Sequence, residues 1–247
     1  MASPVETPRE EPVRYDRAYL KTLVCERFRT DERYRLGHIR IIAARPGTEI
    51  LGLHTPEMKM VAKALARSDS WPQVLSRWER AAKLSHDERM IWGLVLDYIK
   101  CPLAARLELV GHFLPHVDNW AICDTFCCNS AWAKKRQDRD ALRAWLGKLV
   151  KSREEFTRRC GLVLLMCHFL DDAACDRTLE TLGSLNLRAG EPYYVRMAVA
   201  WLLATALAKQ PERTRLWLKG ATLPPDIRAL YVRKVRESRI TRDASPF

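Results

Sequence analysis

Residues 116–126, HVDNWAICDTF, place Trp120 and Asp124 four positions apart in a stretch that reads as a helix. Four residues make about one helical turn, so the indole and the carboxylate share a face. Working outward, the same periodicity dominates the chain. Ten glycines in 247 residues, few alternating strand patterns and many apolar positions spaced three and four apart argue for an all-α protein. Thr55-Pro56 looks like an N-cap followed by proline in the first turn, while Ser85 with Glu88 and Ser152 with Glu155 have capping-box spacing. Helices are therefore expected to begin near Pro56, His86 and Arg153. Others are expected at roughly 15–28, 33–44, 71–83, 102–113, 118–132, 138–150, 172–184, 192–209, 212–219 and 225–239.

About a dozen helices with short turns and no dominant central apolar helix fit stacked helical pairs better than one bundle. The expectation is an irregular, curved α-solenoid, formed by a single domain over 14–240, with a concave groove. Residues 1–13, rich in Pro and Glu, carry no periodicity and are expected to be disordered, and the tail 241–247 to fray.

Composition narrows the function classes. The chain carries 42 Lys and Arg against 30 Asp and Glu, a formal net charge of +12, which points to a polyanionic partner. Between Ala131 and Cys160 the basic residues, among them Lys134, Lys135, Arg136, Arg158 and Arg159, outnumber the acids ten to four. No run of eighteen uncharged apolar residues occurs, and the first sixteen residues lack the apolar core of a secretory signal, so a cytoplasmic protein is expected. The eight cysteines lie mostly within apolar helical patterns and read as reduced core residues. There is no C-x-x-C pair, and the six histidines do not cluster with the cysteines at ligand spacing, so no metal is expected. Glycine-rich phosphate loops are absent, which removes nucleotide hydrolysis and redox cofactors; no cofactor is expected.

Asp124 lies in a largely apolar run, CDTFCC, where a carboxylate needs a partner or a function. The helix after Ser152 brings Arg158 and Arg159 to the edge of the apolar run CGLVLLMCHFL, and Arg159 is the expected inward-facing guanidinium. Trp201, in YYVRMAVAWLLATALAK, is the third element, although packing alone accounts for a tryptophan among aliphatic residues.

At these positions the chain resembles the bacterial DNA alkylation repair family, the HEAT-like-repeat DNA glycosylases of the AlkD type. EILGLHTPEMKMVAK is similar to the family's Gly-x-x-x-Pro segment, here Gly52 and Pro56 with Ala62 and Lys63 following. VDNWAICDTF resembles the segment with the catalytic aspartate, FTRRCGLVLLM the arginine-bearing helix, and YYVRMAVAWLLATALAKQPE the helix with the second tryptophan. The likeness covers roughly residues 15–240. Cys160-Gly161-Leu162 and His54 depart from the family pattern, and the segments YYVRMAVAW and KVRESRI look most like a divergent branch of the family.

The resemblance implies a HEAT-like solenoid that holds duplex DNA in its concave groove. It implies Asp124 as catalytic carboxylate, Trp120 and Trp201 as aromatic walls, and Arg159 as a phosphate or backbone contact. The activity implied is hydrolysis of the N-glycosidic bond of positively charged alkylated purines by a monomer in the bacterial cytosol. Arg158, Lys134, Lys135 and Arg136 are expected to add phosphate contacts. No lysine stands out for Schiff-base chemistry, so strand cleavage is not expected. The alternative is a non-catalytic helical-repeat protein that binds unusually shaped DNA or a protein partner.

Overall fold

The computed structural model describes residues 15–247, so the expected disordered tail 1–13 lies outside the described residues. Among the described residues the chain forms fourteen α-helices and no strand. In chain order they are α1 (Arg17–Thr22), α2 (Glu26–Thr30), α3 (Glu32–Ile42), α4 (Thr55–Arg67), α5 (Trp71–Glu79), α6 (His86–Tyr98) and α7 (Leu103–Phe113). There follow α8 (Trp120–Asn129), α9 (Arg139–Leu149), α10 (Glu155–His168), α11 (Cys175–Gly183), α12 (Tyr193–Lys209), α13 (Pro211–Gly220) and α14 (Pro225–Glu237). None of these helices is long and apolar enough to cross a membrane.

The helices stack in two layers. One row runs α4, α6, α8, α10, α12, α14, each packed against the next; α5, α7, α9 and α13 back onto α4, α6, α10 and α12, and α11 packs on α13. This is the arrangement expected of stacked helical pairs, in which each unit buries its apolar face only against its neighbours. Inner helices of the first row, α10 and α12 above all, are accordingly apolar nearly all round. In α10 every residue from Arg159 to Met166 is buried, and in α12 Val195, Ala198–Ala200, Leu202–Ala204, Ala206 and Leu207 are buried. A helix covered on several sides carries such a pattern, whereas α9 and α11, in the second layer, are amphipathic.

The start signals read from the sequence fare differently. Ser85 and Glu88 form a true capping box: the Ser85 hydroxyl accepts from the Glu88 N–H at 3.2 Å and the Glu88 carboxylate accepts from the Ser85 N–H at 2.7 Å. Ser152 and Glu155 do not. The Ser152 hydroxyl accepts from the N–H of Glu154, while the Glu155 carboxylate accepts from the Tyr194 N–H at 2.8 Å and so satisfies an orphan donor in the first turn of α12. The single helix expected over 15–28 is two, because Cys25 is extended and Arg29 donates to the carbonyls of Lys21 and Thr22, closing the end of α1.

The tail from Thr241 is packed back rather than frayed. The Thr241 hydroxyl donates to the carbonyl of Val235, the Tyr231 hydroxyl donates to the Pro246 carbonyl at 2.6 Å, and the Phe247 ring meets Tyr231 at 5.6 Å.

Two close approaches fix the frame of the first row. Gly52, at φ +97°, leaves no room for a Cβ, which would meet the Phe28 ring at 2.3 Å. The same loop is held by Asp87 in the first turn of α6, whose buried carboxylate accepts the backbone N–H groups of Leu51, Gly52 and Leu53 at 2.7, 3.1 and 2.8 Å. Gly161 lets α10 press against the end of α9, where a Cβ would lie 2.9 Å from Leu149 and Val150.

Candidate active site between α8, α10 and α12

Asn119 determines how α8 begins. Its side-chain oxygen accepts from the N–H groups of Ala121 and Ile122 at 3.0 and 3.2 Å, a double cap that starts the helix at Trp120. The Asn119 amide donates to Asp118 at 2.8 Å and lies 3.3 Å from Nδ1 of the buried His86, while Asp118 is in turn paired with Arg89. Burial, partly offset by the charge of Asp118, pulls His86 down to about 4, so near neutral pH its free ring nitrogen accepts from Asn119.

One turn into the capped helix stands Asp124. Arg159, on α10, grips it in a bidentate pair, Nε to Oδ1 at 2.9 Å and a terminal nitrogen to Oδ2 at 2.8 Å, with the remaining nitrogen donating to the Tyr194 carbonyl at 2.8 Å. Burial lowers the basicity of the guanidinium, and its bonds to Asp124 more than offset this and hold it above its ordinary value. The partner that an aspartate in this apolar run requires is therefore Arg159. That guanidinium is 5% exposed with its donors directed at protein acceptors, an arrangement unlike the expected phosphate contact. Phosphate would have to displace Asp124.

Trp120, Asp124, Arg159 and Trp201 line one cavity of about 430 Å³. The rest of its wall comes from Tyr193, Tyr194 and Met197 of α12, Lys234 of α14, and Ile41 and Ala43 at the end of α3. The Trp120 indole N–H donates to the Ile41 carbonyl at 2.9 Å, which fixes the plane of the ring and ties α3 to α8. Tyr193 and Tyr194 stand edge to face at 5.2 Å, and the Arg159 guanidinium lies over the Tyr194 ring at 5.7 Å. The chamber thus combines four aromatic side chains with one carboxylate, a lining suited to a flat cationic group. A larger space of about 680 Å³ between α11 and α13 has, among the described residues, no ionisable side chain in its lining.

The other expected site residues fall outside this chamber. Arg158, beside Arg159 in sequence, is half-buried and paired with Glu191 at 2.7 Å. Lys134, Lys135 and Arg136 are exposed on the 3-10 turns that follow α8. Lys234 was not foreseen. It reaches the chamber from a helix thirty-three residues beyond Trp201, its ammonium bonded to Glu237 at 2.7 Å, and only the i, i+3 pairing with Glu237 is visible in the sequence.

The cysteines also group in a way the linear spacing hides. Cys123 and Cys127, one turn apart on α8, meet Cys160 of α10, and the three sulfur atoms lie within 4.8 Å of one another in full burial. Cys128 and Cys167 approach at 3.5 Å nearer the surface. All eight cysteines are free thiols.

A family model described as DNA alkylation repair enzyme matches residues 37–238. That span contains every residue of the chamber and the whole stacked row from α4 to α14. Searches of curated proteins and of solved structures gave no match.

Proposed function

This chain belongs to the DNA alkylation repair enzyme family, and from that premise we propose that it is a DNA glycosylase that removes positively charged alkylated purines, of the 3-methyladenine and 7-methylguanine type, from duplex DNA. The observation that carries the reading is the chamber itself. A carboxylate and two tryptophans from separate helices line one space of about 430 Å³, with the carboxylate held in place by a buried arginine.

A purine alkylated at N3 or N7 already carries positive charge and is a good leaving group. Cleavage of its N-glycosidic bond then needs little general acid, and positive charge develops on the sugar as the bond breaks. Asp124 stabilises that charge electrostatically and orients the attacking water. The bidentate pair with Arg159 does not exhaust it, since each carboxylate oxygen has a second lone pair and the side chain is 16% exposed. Arg159 acts through Asp124 by fixing its plane. The indole faces of Trp120 and Trp201 contribute cation–π attraction on the order of 0.5 to 2 kcal/mol each. In this reading the stacked row is a HEAT-like solenoid whose face carries the duplex. Lys134, Lys135, Arg136 and Lys234 meet phosphates, and affinity falls with salt and shows little sequence preference. Base release leaves an abasic site.

A second reading has its own support: the chamber is already satisfied, with both Asp124 oxygens bonded to Arg159 and the Trp120 N–H bonded to Ile41. A site of that kind suits a protein that binds DNA of unusual shape without reacting. The deciding experiment measures release of free methylated purine from heavily methylated duplex DNA by the native protein and by Asp124→Asn, with DNA affinity measured alongside. The glycosylase reading expects release by the native protein, its loss in Asp124→Asn, and retained affinity. DNA binding without release by the native protein establishes the second reading, and release that persists in Asp124→Asn removes Asp124 from the mechanism.

A further inference from the structure

We infer that Cys123, Cys127 and Cys160 form a closed three-thiol site for a trivalent thiophilic ion of the arsenite type, immediately behind the Asp124–Arg159 pair. The three residues are 0% exposed, and their sulfur atoms lie within 4.8 Å of one another. The Cys160 and Cys123 sulfurs are 3.3 Å apart. Bonds of about 2.3 Å from one ion to three sulfurs set the sulfurs roughly 3.3 to 4 Å apart, depending on whether the centre is pyramidal or planar. The existing spacing therefore needs only rotamer adjustment. Three sulfur donors with no nitrogen or oxygen ligand select a soft ion over a hard one.

Coordination number and charge decide among soft ions. Zinc in a structural site takes four ligands, and in an open site three plus water. Among the described residues the cluster has only three ligands, and its full burial keeps it out of contact with bulk water. Three thiolates around a divalent ion also leave a net negative charge, which is costly in an apolar interior when the nearby guanidinium of Arg159 already serves Asp124. A trivalent ion leaves none. With arsenite the exchange balances without redox: three S–H and three As–OH bonds give three S–As bonds and three molecules of water, and arsenic stays trivalent. The chemistry does not depend on the DNA reading, yet its position bears on it. Cys123 adjoins Asp124 and Cys160 adjoins Arg159, so an ion held there crosslinks α8 to α10 where both present their site residues.

Arsenite is the probe, and native mass spectrometry of the full chain is the first readout. The expected adduct is one arsenic with loss of three protons; it disappears in Cys160→Ala and in Cys127→Ala and survives in Cys128→Ser. Capture by the Cys128–Cys167 pair instead gives loss of two protons and vanishes in Cys128→Ser, an outcome that overturns the assignment, as does no adduct at all. Thermal unfolding supplies a second test that a misfolded variant cannot blur. An ion bound to the folded site raises the native protein's Tm, whereas capture by thiols exposed only on unfolding lowers it, and a fall refutes the site.

Discussion

Two aspartates on neighbouring helices of the same row show what separates a structural carboxylate from a reactive one. Asp87 on α6 is 0% exposed and accepts three backbone N–H groups from the 51–53 loop. Asp124 on α8 has a side chain 16% exposed, is held by the guanidinium of Arg159, and faces a chamber of aromatic rings. Backbone donors belong to the frame, so a carboxylate that binds them serves as part of the frame. A side-chain partner orients a carboxylate while leaving lone pairs directed into open space, where charge can develop.

The contrast is broken most sharply by amide substitution at each position. Asp124→Asn is expected to lower base release by about 10² to 10³-fold, the range for loss of one preorganised electrostatic group. Because it also leaves Arg159 without its anionic partner, a stability loss on the order of 3 kcal/mol should accompany it in denaturant unfolding. Asp87→Asn should leave base release per folded molecule unchanged, with stability reduced by about 2 kcal/mol, since an amide N–H₂ then meets backbone donors. If Asp87→Asn lowers turnover of fully folded protein tenfold or more, the two carboxylates are not distinct in kind.

His86 links the two regions and predicts a pH dependence. It follows the Ser85 cap, precedes Asp87, and accepts from the Asn119 amide that starts α8. Its folded value of about 4 lies below the ordinary 6.5, so the unfolded chain binds more protons between these values. Its contribution is thus fully present above pH 6.5 and is lost as pH falls toward 4, a loss of about 3 kcal/mol at 1.36 kcal/mol per pH unit. Protonation also turns the acceptor that faces Asn119 into a donor. Denaturant unfolding from pH 7 to 4 should show this fall in native protein and a flatter profile in His86→Gln; parallel profiles would assign the acid sensitivity elsewhere.

The sequence made the stacked architecture legible because apolar spacing, proline and caps are local signals, and most helix ends fall within a few residues of those expected. Legible too were Trp120 and Asp124, one turn apart, and the need of Asp124 for a partner. The failures share one cause, which is dependence on what lies opposite. Glu155 has capping-box spacing from Ser152 yet bonds to α12, Cys160 joins Cys123 and Cys127 only across the packing of α10 on α8, and two adjacent arginines turn to different acids. Asp87 carried no local hint, because its partners are backbone groups thirty-four to thirty-six residues away.

The smallest effect sharpens the comparison from the side of the partner cation. Arg159 is consumed by Asp124, whereas Lys234 reaches the same chamber with its side chain 26% exposed and, among the described residues, tied only to Glu237, itself more exposed. A partly exposed lysine–glutamate pair is worth little, so a phosphate can take the ammonium from Glu237 at small cost. Lys234→Gln should therefore weaken DNA binding uniformly across sequences and reduce the slope of log affinity against log salt by about 1, the value for one phosphate contact. Arg158→Gln, in which a cation paired with Glu191 is removed, should leave that slope unchanged. Anisotropy titrations at several salt concentrations measure both. Equal slopes for native protein and Lys234→Gln would mean that the chamber holds no phosphate, and a changed slope for Arg158→Gln would mean that Glu191 releases its arginine to DNA.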